Sequence, residues 1–270
     1  MSVINTNVSA LSAQNALRTN ARSMSTSMEQ LSTGSRVNSA KDDAAGLAIG
    51  QNMTSQVRGL NMAVRNINDG VNMMQTAEGA MIEQSNMLQR MRELAVQSAN
   101  GTVSDTQRSY LDTEFQALTS QIGNIASQTT WNGTDLMSST TTFSFQAGAS
   151  SGQTISVAIT EMSTSSLGIS SSSISSASVA ATAIATLDTA LNSINSQRAT
   201  IGAGINQMTY AADNMSNIAA NVTASRSTIM DTDYATASTN LAKNQIIQQA
   251  ATAMLAQANQ APQSVLSLLK

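Results

Sequence analysis

Few residues in this chain could do chemistry. Its 270 residues include no His and no Cys, which rules out a Cys/His zinc site, a thiolate ligand, a disulfide framework and a Ser-His-Asp triad. Two close acidic pairs and a methionine-rich stripe remain. Asp42/Asp43 and Asp231/Asp233 are spaced like carboxylates that share a proton or a Ca²⁺ ion. Each pair also falls at an expected helix start, where acids cap free N–H groups and face the positive end of the dipole, and we read both as caps. Met53, Met74, Met81, Met208 and Met215 offer soft thioethers, but they recur at helical spacing and read as core. No metal and no cofactor is expected, and no catalytic residue.

Charge narrows the partners. Thirteen basic residues stand against sixteen acidic ones, a formal net charge of −3, which gives no cationic footprint for nucleic acid or anionic membrane. Charged residues make up 11% of the chain, against roughly 25% in an average soluble domain. No apolar run reaches the length of a membrane span. The opening residues from Met1 lack a basic segment followed by an apolar one, so no secretory signal is read there. These signals alone describe a cytoplasmic protein.

The elements that must position these residues are long helices, since the chain has one proline, Pro262. Met53, Leu60, Ile67, Met74, Met81, Leu88 and Ala95 recur every seventh residue, with Val57, Val64 and Val71 assigned to the complementary position. Leu187, Ile194, Ile201, Met208, Met215, Val222 and Ile229 repeat at the same interval. Both rows predict heptad packing. Ser39 to Asp42 reads as a capping box opening the first long helix, and Asn100-Gly101 suits its end. Ser104 to Gln107 opens a shorter helix with the stripe Leu111, Phe115, Leu118, Ile122 and Ile125, stopped by a turn at Trp131-Asn132-Gly133.

The period then changes to two. Phe143, Phe145 and Ala147 alternate with polar residues, as do Ile155, Val157 and Ile159, with Gly148 to Gly152 between them. This predicts a β-hairpin. The Ser-rich stretch from Ser163 to Ser178 reads as an irregular surface excursion with little to bury. The two ends carry thinner stripes: Ala10, Leu17, Met24 and Leu31 with Ala21 and Met28 beside them, and Ala237, Leu241, Ile247, Met254, Leu255 and Ala258. Neither buries enough alone to offset the entropy of ordering it, so each end needs a partner. The fold class expected is mainly α: a long antiparallel helical bundle or coiled coil built from paired N- and C-terminal segments, with a small β-hairpin in the middle.

Motifs at both ends resemble the bacterial flagellin family. They are Val3 to Asn7, Leu31 to Asp43, Ala44 to Ile49 and Leu88 to Asn100 in the first half, then Asp231 to Ala235, Leu255 to Asn259 and Val265 to Lys270. The resemblance covers about 1–137 and 180–270, and the large outer domains of longer members are absent from the short middle. It implies a structural, non-enzymatic subunit of the flagellar filament, a homopolymer serving motility. Export through a flagellar type III channel, unfolded and with no cleaved signal, would place it outside the cell. The implied domains are an inner-tube coiled coil of 1–43 with 231–270, a helical rod of 44–137 with 179–230, and a surface segment of 138–178. A hook–filament junction protein is the nearer alternative, disfavoured by the Leu255 to Lys270 pattern and the Arg90 motif. A peptidase-bearing flagellin needs a His-containing zinc motif that this chain lacks.

The resemblance also implies sites. Gln89, Arg90, Leu94 and Glu114 match residues bound by the host Toll-like receptor and by the next subunit along a protofilament. Arg90 and Leu94, four apart, are expected on one helix face, with Glu114 returning on the next helix. Leu17, Met24, Leu31, Leu241, Ile247 and Leu255 are the expected inner-tube packing residues. Ile246, Val265, Leu266 and Leu269 belong to the tail that the flagellin export chaperone grips. The flagellar cap and hook-junction proteins are the remaining implied partners.

Overall fold

In the computed structural model, residues 6–267 are described, with side chains as far as Gln260. The described residues form five helices and four short strands: α1 Val8–Thr33, α2 Ala44–Ala99, α3 Asp105–Gln128, β1 Thr130–Trp131, β2 Thr134–Asp135, β3 Thr141–Gln146, β4 Thr154–Ile159, α4 Ala177–Met230 and α5 Tyr234–Ser267. The chain divides into two compact units, one of residues 1–57 with 220–270 and one of 58–219. The division falls inside α2 and α4, so each long helix contributes to both. The expected fold class, long helices with paired ends and a small β-hairpin, is the one observed.

Short polar side chains set the helix starts. Asn7 accepts the Ala10 N–H at 3.0 Å to open α1, and Ser104 and Gln107 form the reciprocal capping box of α3. The start of α2 corrects the sequence reading. Asp42 folds back to accept the N–H and hydroxyl of Ser39 at 3.0 and 2.9 Å, closing a turn ahead of the helix. The cap is Asp43, which accepts the Gly46 N–H at 2.9 Å. Asp233 caps α5 by accepting the Ala235 N–H at 2.9 Å.

The second unit holds the main core. The large row Leu60, Ile67, Met74, Met81, Leu88 and Ala95 is buried along α2, as are Leu187, Ile194, Ile201 and Met208 along α4. Of the expected methionine stripe, Met74, Met81 and Met208 pack as core, while Met53 and Met215 are only part-buried. The complementary row on α2 is not Val57, Val64 and Val71, which are only part-buried. It is Ala63, Gly70, Ala77, Gln84, Met91 and Ser98, three residues after each member of the large row. On α4 the equivalent row is Ala183, Ala190, Gln197 and Gly204. Small residues and amides occupy most of it.

The small side chains let the β-hairpin lie directly on the helices. Strands β3 and β4 pair antiparallel with Phe143 opposite Val157 and Phe145 opposite Ile155. A Cβ on Gly70 would come within 2.8 Å of the Phe145 ring, and one on Gly204 within 2.7 Å of Val157. Glycine at both points admits the strands. The turn at 131–133 is itself a hairpin: β1 and β2 pair across Asn132 and Gly133, whose φ values of 47° and 77° match a two-residue left-handed turn.

The Ser-rich stretch is irregular, as read, but it buries a good deal. Leu167, Ile169 and Ile174 belong to the core cluster. Asp112 of α3 accepts the Ile174 N–H at 2.7 Å and the Ser173 hydroxyl at 3.0 Å, and Gln116 donates to the Ser172 carbonyl at 2.9 Å.

Candidate interaction site

The paired ends form the first candidate surface. Helices α1 and α5 run antiparallel: the Asn7 side-chain amide donates to the Ala258 carbonyl at 2.7 Å, and that of Asn20 to the Asn244 carbonyl at 2.8 Å. Leu17, Met24, Leu31, Leu241 and Leu255 are part-buried along this seam. Between them stand Ala13, Asn20 and Ser27 on α1, and Ala237, Asn244, Ala251 and Ala258 on α5. The seam therefore alternates large with small or amide residues.

Several residues assigned to these stripes lie off the seam. Ile247 is 39% exposed, Ala21, Met28 and Met254 are exposed as well, and so is Ile246 of the expected chaperone-binding tail. The helix turn explains the shift: residues 241, 244, 248, 251, 255 and 258 keep the 3–4 alternation of a seam, which 247 and 254 miss by one residue. Leu11, Ala21 and Met28 instead fall on a second, outward side of α1, and Ile247, Ala250 and Met254 share an outward stripe on α5. Val265 and Leu266 fall in α5 beyond the described side chains, and Leu269 lies outside the described residues.

A latch closes the α1–α2 connection over the end of α4. Ser35 and Asp231 form an antiparallel bridge, and Thr232 N–H donates to the Gly34 carbonyl at 2.9 Å. The Arg36 guanidinium donates to the carbonyls of Thr228 and Ile229 at 3.3 and 2.6 Å. These are orphan acceptors at the negative end of α4, where a cation is favoured. Gly34, with φ of 71°, supplies the left-handed C-cap that turns α1 into this latch.

The second candidate surface lies on α2 and α3. Arg90 donates to Glu114 and to Glu93, both at 3.0 Å. The bond to Glu114, then that to Glu93, holds the guanidinium above its ordinary pKa. Gln89, Arg90 and Glu114 are exposed. Leu94 is not: it is 1% exposed and belongs to the core with Phe115 and Ile122. Four residues advance a helix by about 40° beyond a full turn, enough to carry position 94 under α3 while position 90 stays in solvent. Leu94 therefore supports the surface from beneath.

Beside it, Arg92 reaches Asp188 of α4 at 2.6 Å, and the Asp188 hydrogen bond raises the Arg92 pKa. Arg108, nearly buried, donates to the Ser98 and Asn100 carbonyls at 2.8 and 2.9 Å and to Asp105 at 3.0 Å. It caps the end of α2 from α3, as Arg36 caps α4. Sequence reasoning missed both arginines: Arg108 follows the helix end it caps, where a basic side chain can meet free carbonyls, whereas Arg36 follows α1 and caps the distant α4. Among the described residues no three His, Cys, Asp or Glu side chains come together to hold a metal ion. No described helix is long and apolar enough to cross a membrane.

Family comparison agrees with this geometry at both ends of the chain. Residues 4–142 match the model of the bacterial flagellin N-terminal helical region, and residues 184–269 match that of the C-terminal helical region. This chain belongs to the bacterial flagellin family. It is similar to the flagellar filament 33 kDa core protein of Treponema phagedenis, at 41% identity over 99% of this chain and all of that protein. It is also 40% identical to flagellin of Bacillus subtilis, over 99% of each chain. Among solved structures, Bacillus cereus flagellin is 31% identical, covering 56% of this chain and 88% of that one at a TM-score of 0.49. Both family regions map onto the helices that build the two candidate surfaces.

Proposed function

We propose that this flagellin is the structural subunit of a flagellar filament, joined to copies of itself through α1 and α5. The observation that carries the reading is the pair of outward apolar stripes, Leu11 and Met28 on one helix and Ile247 and Met254 on the other. The α1–α5 seam consumes one face of each helix and leaves these stripes exposed among the described residues. Copies of the chain supply what is missing, and contacts that do not close into a ring extend as a helical fibre. Similarity to a flagellar filament core protein along its whole length supports the same reading.

In this assembly 1–43 with 231–270 forms the inner tube, 44–137 with 179–230 the rod, and 138–178 the outer segment. The work is mechanical, not catalytic, and it is done outside the cell in motility. Subunits reach the growing tip unfolded through type III export, with the chaperone covering Ile246, Val265, Leu266 and Leu269, and with the hook-junction and cap proteins at the two ends of the polymer. Gln89, Arg90 and Glu114 form the surface open to the next subunit or to the host Toll-like receptor, with Leu94 as its support. Purified protein mixed with filament seeds is expected to elongate them by micrometres under the electron microscope. Short collars, or no growth, overturn the reading. Arg90→Ala with Glu114→Ala is expected to weaken receptor signalling by soluble monomer, and unchanged signalling removes that surface from the account.

A further inference from the structure

Methionine is distributed unevenly between the two units. Met73, Met74, Met81, Met91, Met137, Met162 and Met208 are all buried in the core of the 58–219 unit. In the unit that pairs the ends, Met28 is 54% exposed on α1 and Met254 65% exposed on α5. Each lies on the outward stripe of its helix, Met28 with Leu11 and Met254 with Ile247. The chain has no Cys to intercept an oxidant first.

We propose that Met28 and Met254 are oxidation sites through which a peroxide controls polymerisation. The proposal rests on self-association through α1 and α5 as read above. Hydrogen peroxide attacks the exposed thioether: a sulfur–oxygen bond forms, the O–O bond breaks, and the second oxygen leaves as water. Sulfur loses two electrons and the peroxide gains them. Two thiols reverse the step through a methionine sulfoxide reductase, giving thioether, disulfide and water. In the free subunit the sulfoxide faces solvent and disturbs little. Buried against a neighbouring copy, the same strong acceptor lacks a donor and opposes the contact. The core methionines are shielded, so the 58–219 unit keeps its fold while the ends lose their ability to associate.

Full-length protein is treated with dilute hydrogen peroxide, mapped by peptide mass spectrometry and seeded. Oxidation at Met28 and Met254 is expected to raise the critical concentration for growth about tenfold, with helicity by circular dichroism unchanged. Methionine sulfoxide reductase with dithiothreitol is expected to restore growth. Met28→Leu with Met254→Leu is expected to grow equally well before and after peroxide, and Met62→Leu, which removes a 49% exposed methionine of the other unit, to stay sensitive. Unchanged growth of wild-type protein oxidised at both positions overturns the switch, as does lost growth that the reductase fails to restore. If untreated protein does not grow on seeds, the reading beneath the switch is what has failed, and the switch goes with it.

Discussion

Asn20 of α1 donates its side-chain amide to the backbone carbonyl of Asn244 in α5, 224 positions later in the chain, at 2.8 Å. The amide is nearly buried in a seam otherwise held by part-buried Leu and Met. Shifting one helix along the other would leave it without a partner, so the bond favours a single register. Asn20→Ala is expected to cost the helix pair about 1 kcal/mol, read as a lower thermal midpoint for the ends. Asn20→Leu is expected to raise that midpoint while letting the register slip. Cysteines placed at Ala13 and Ala251, which lie at matching levels on the seam, would then join through a short thiol cross-linker in lower yield.

Two glycines are contact points for the β-hairpin, and two others are not. Gly70→Ala and Gly204→Ala each gain up to about 1 kcal/mol of helix propensity. Each also drives a methyl into Phe145 or Val157, a cost of about 1–3 kcal/mol. The net expectation is destabilisation, seen as a lower urea midpoint. Gly79→Ala and Gly202→Ala meet no neighbouring atom within 4 Å, and each is expected to stabilise by about 0.5–1 kcal/mol.

Arg108 holds three partners on one planar group, with 8% of its side chain exposed. Lysine cannot present that fork. Arg108→Lys is expected to lose about 2 kcal/mol on urea denaturation, because the Ser98 and Asn100 carbonyls at the end of α2 lose their donor.

Acid should weaken two carboxyls near helix starts, Asp233 at α5 and Asp42 in the turn ahead of α2. The Asp233 carboxyl is held below its ordinary value of 3.8 chiefly by the Thr236 hydroxyl, and then by the N–H groups of Ala235 and Thr236. Asp42 is lowered in the same way, first by the Ser39 hydroxyl. A carboxyl with a depressed folded-state pKa contributes stability that is complete above its unfolded value and lost as pH falls through its folded one. Helicity of the ends is therefore expected to decline below about pH 4. Asp233→Asn keeps a capping side chain but removes its titration, and is expected to flatten that decline in circular dichroism.

These residues show what a linear reading can see. The large heptad rows were legible because Leu, Ile and Met announce themselves, and so was the β-hairpin, whose alternation over Phe143–Ala147 matches the observed strands. The second row of each seam was not legible. Gly70, Gln84, Ser98 and Gln197 are not apolar, and they are buried because the Phe145 ring comes close, at Gly70, or a carbonyl accepts their amide or hydroxyl. Gln84, for instance, donates to the Ile122 and Met162 carbonyls at 3.2 and 3.1 Å. Leu94 was misplaced for a related reason: α3 widens the covered arc of α2 beyond what spacing on one helix reveals. Serines around Leu167, Ile169 and Ile174 likewise masked a stretch that is anchored.

The latch at Arg36 has a mechanical consequence. Residues 34–36, which follow α1, are fastened side by side with 228–232, the end of α4 and the link to α5. A pull on either end meets several hydrogen bonds loaded together instead of one after another, and the force is shared between the two segments. A chain loaded at its ends gains toughness from such a rivet.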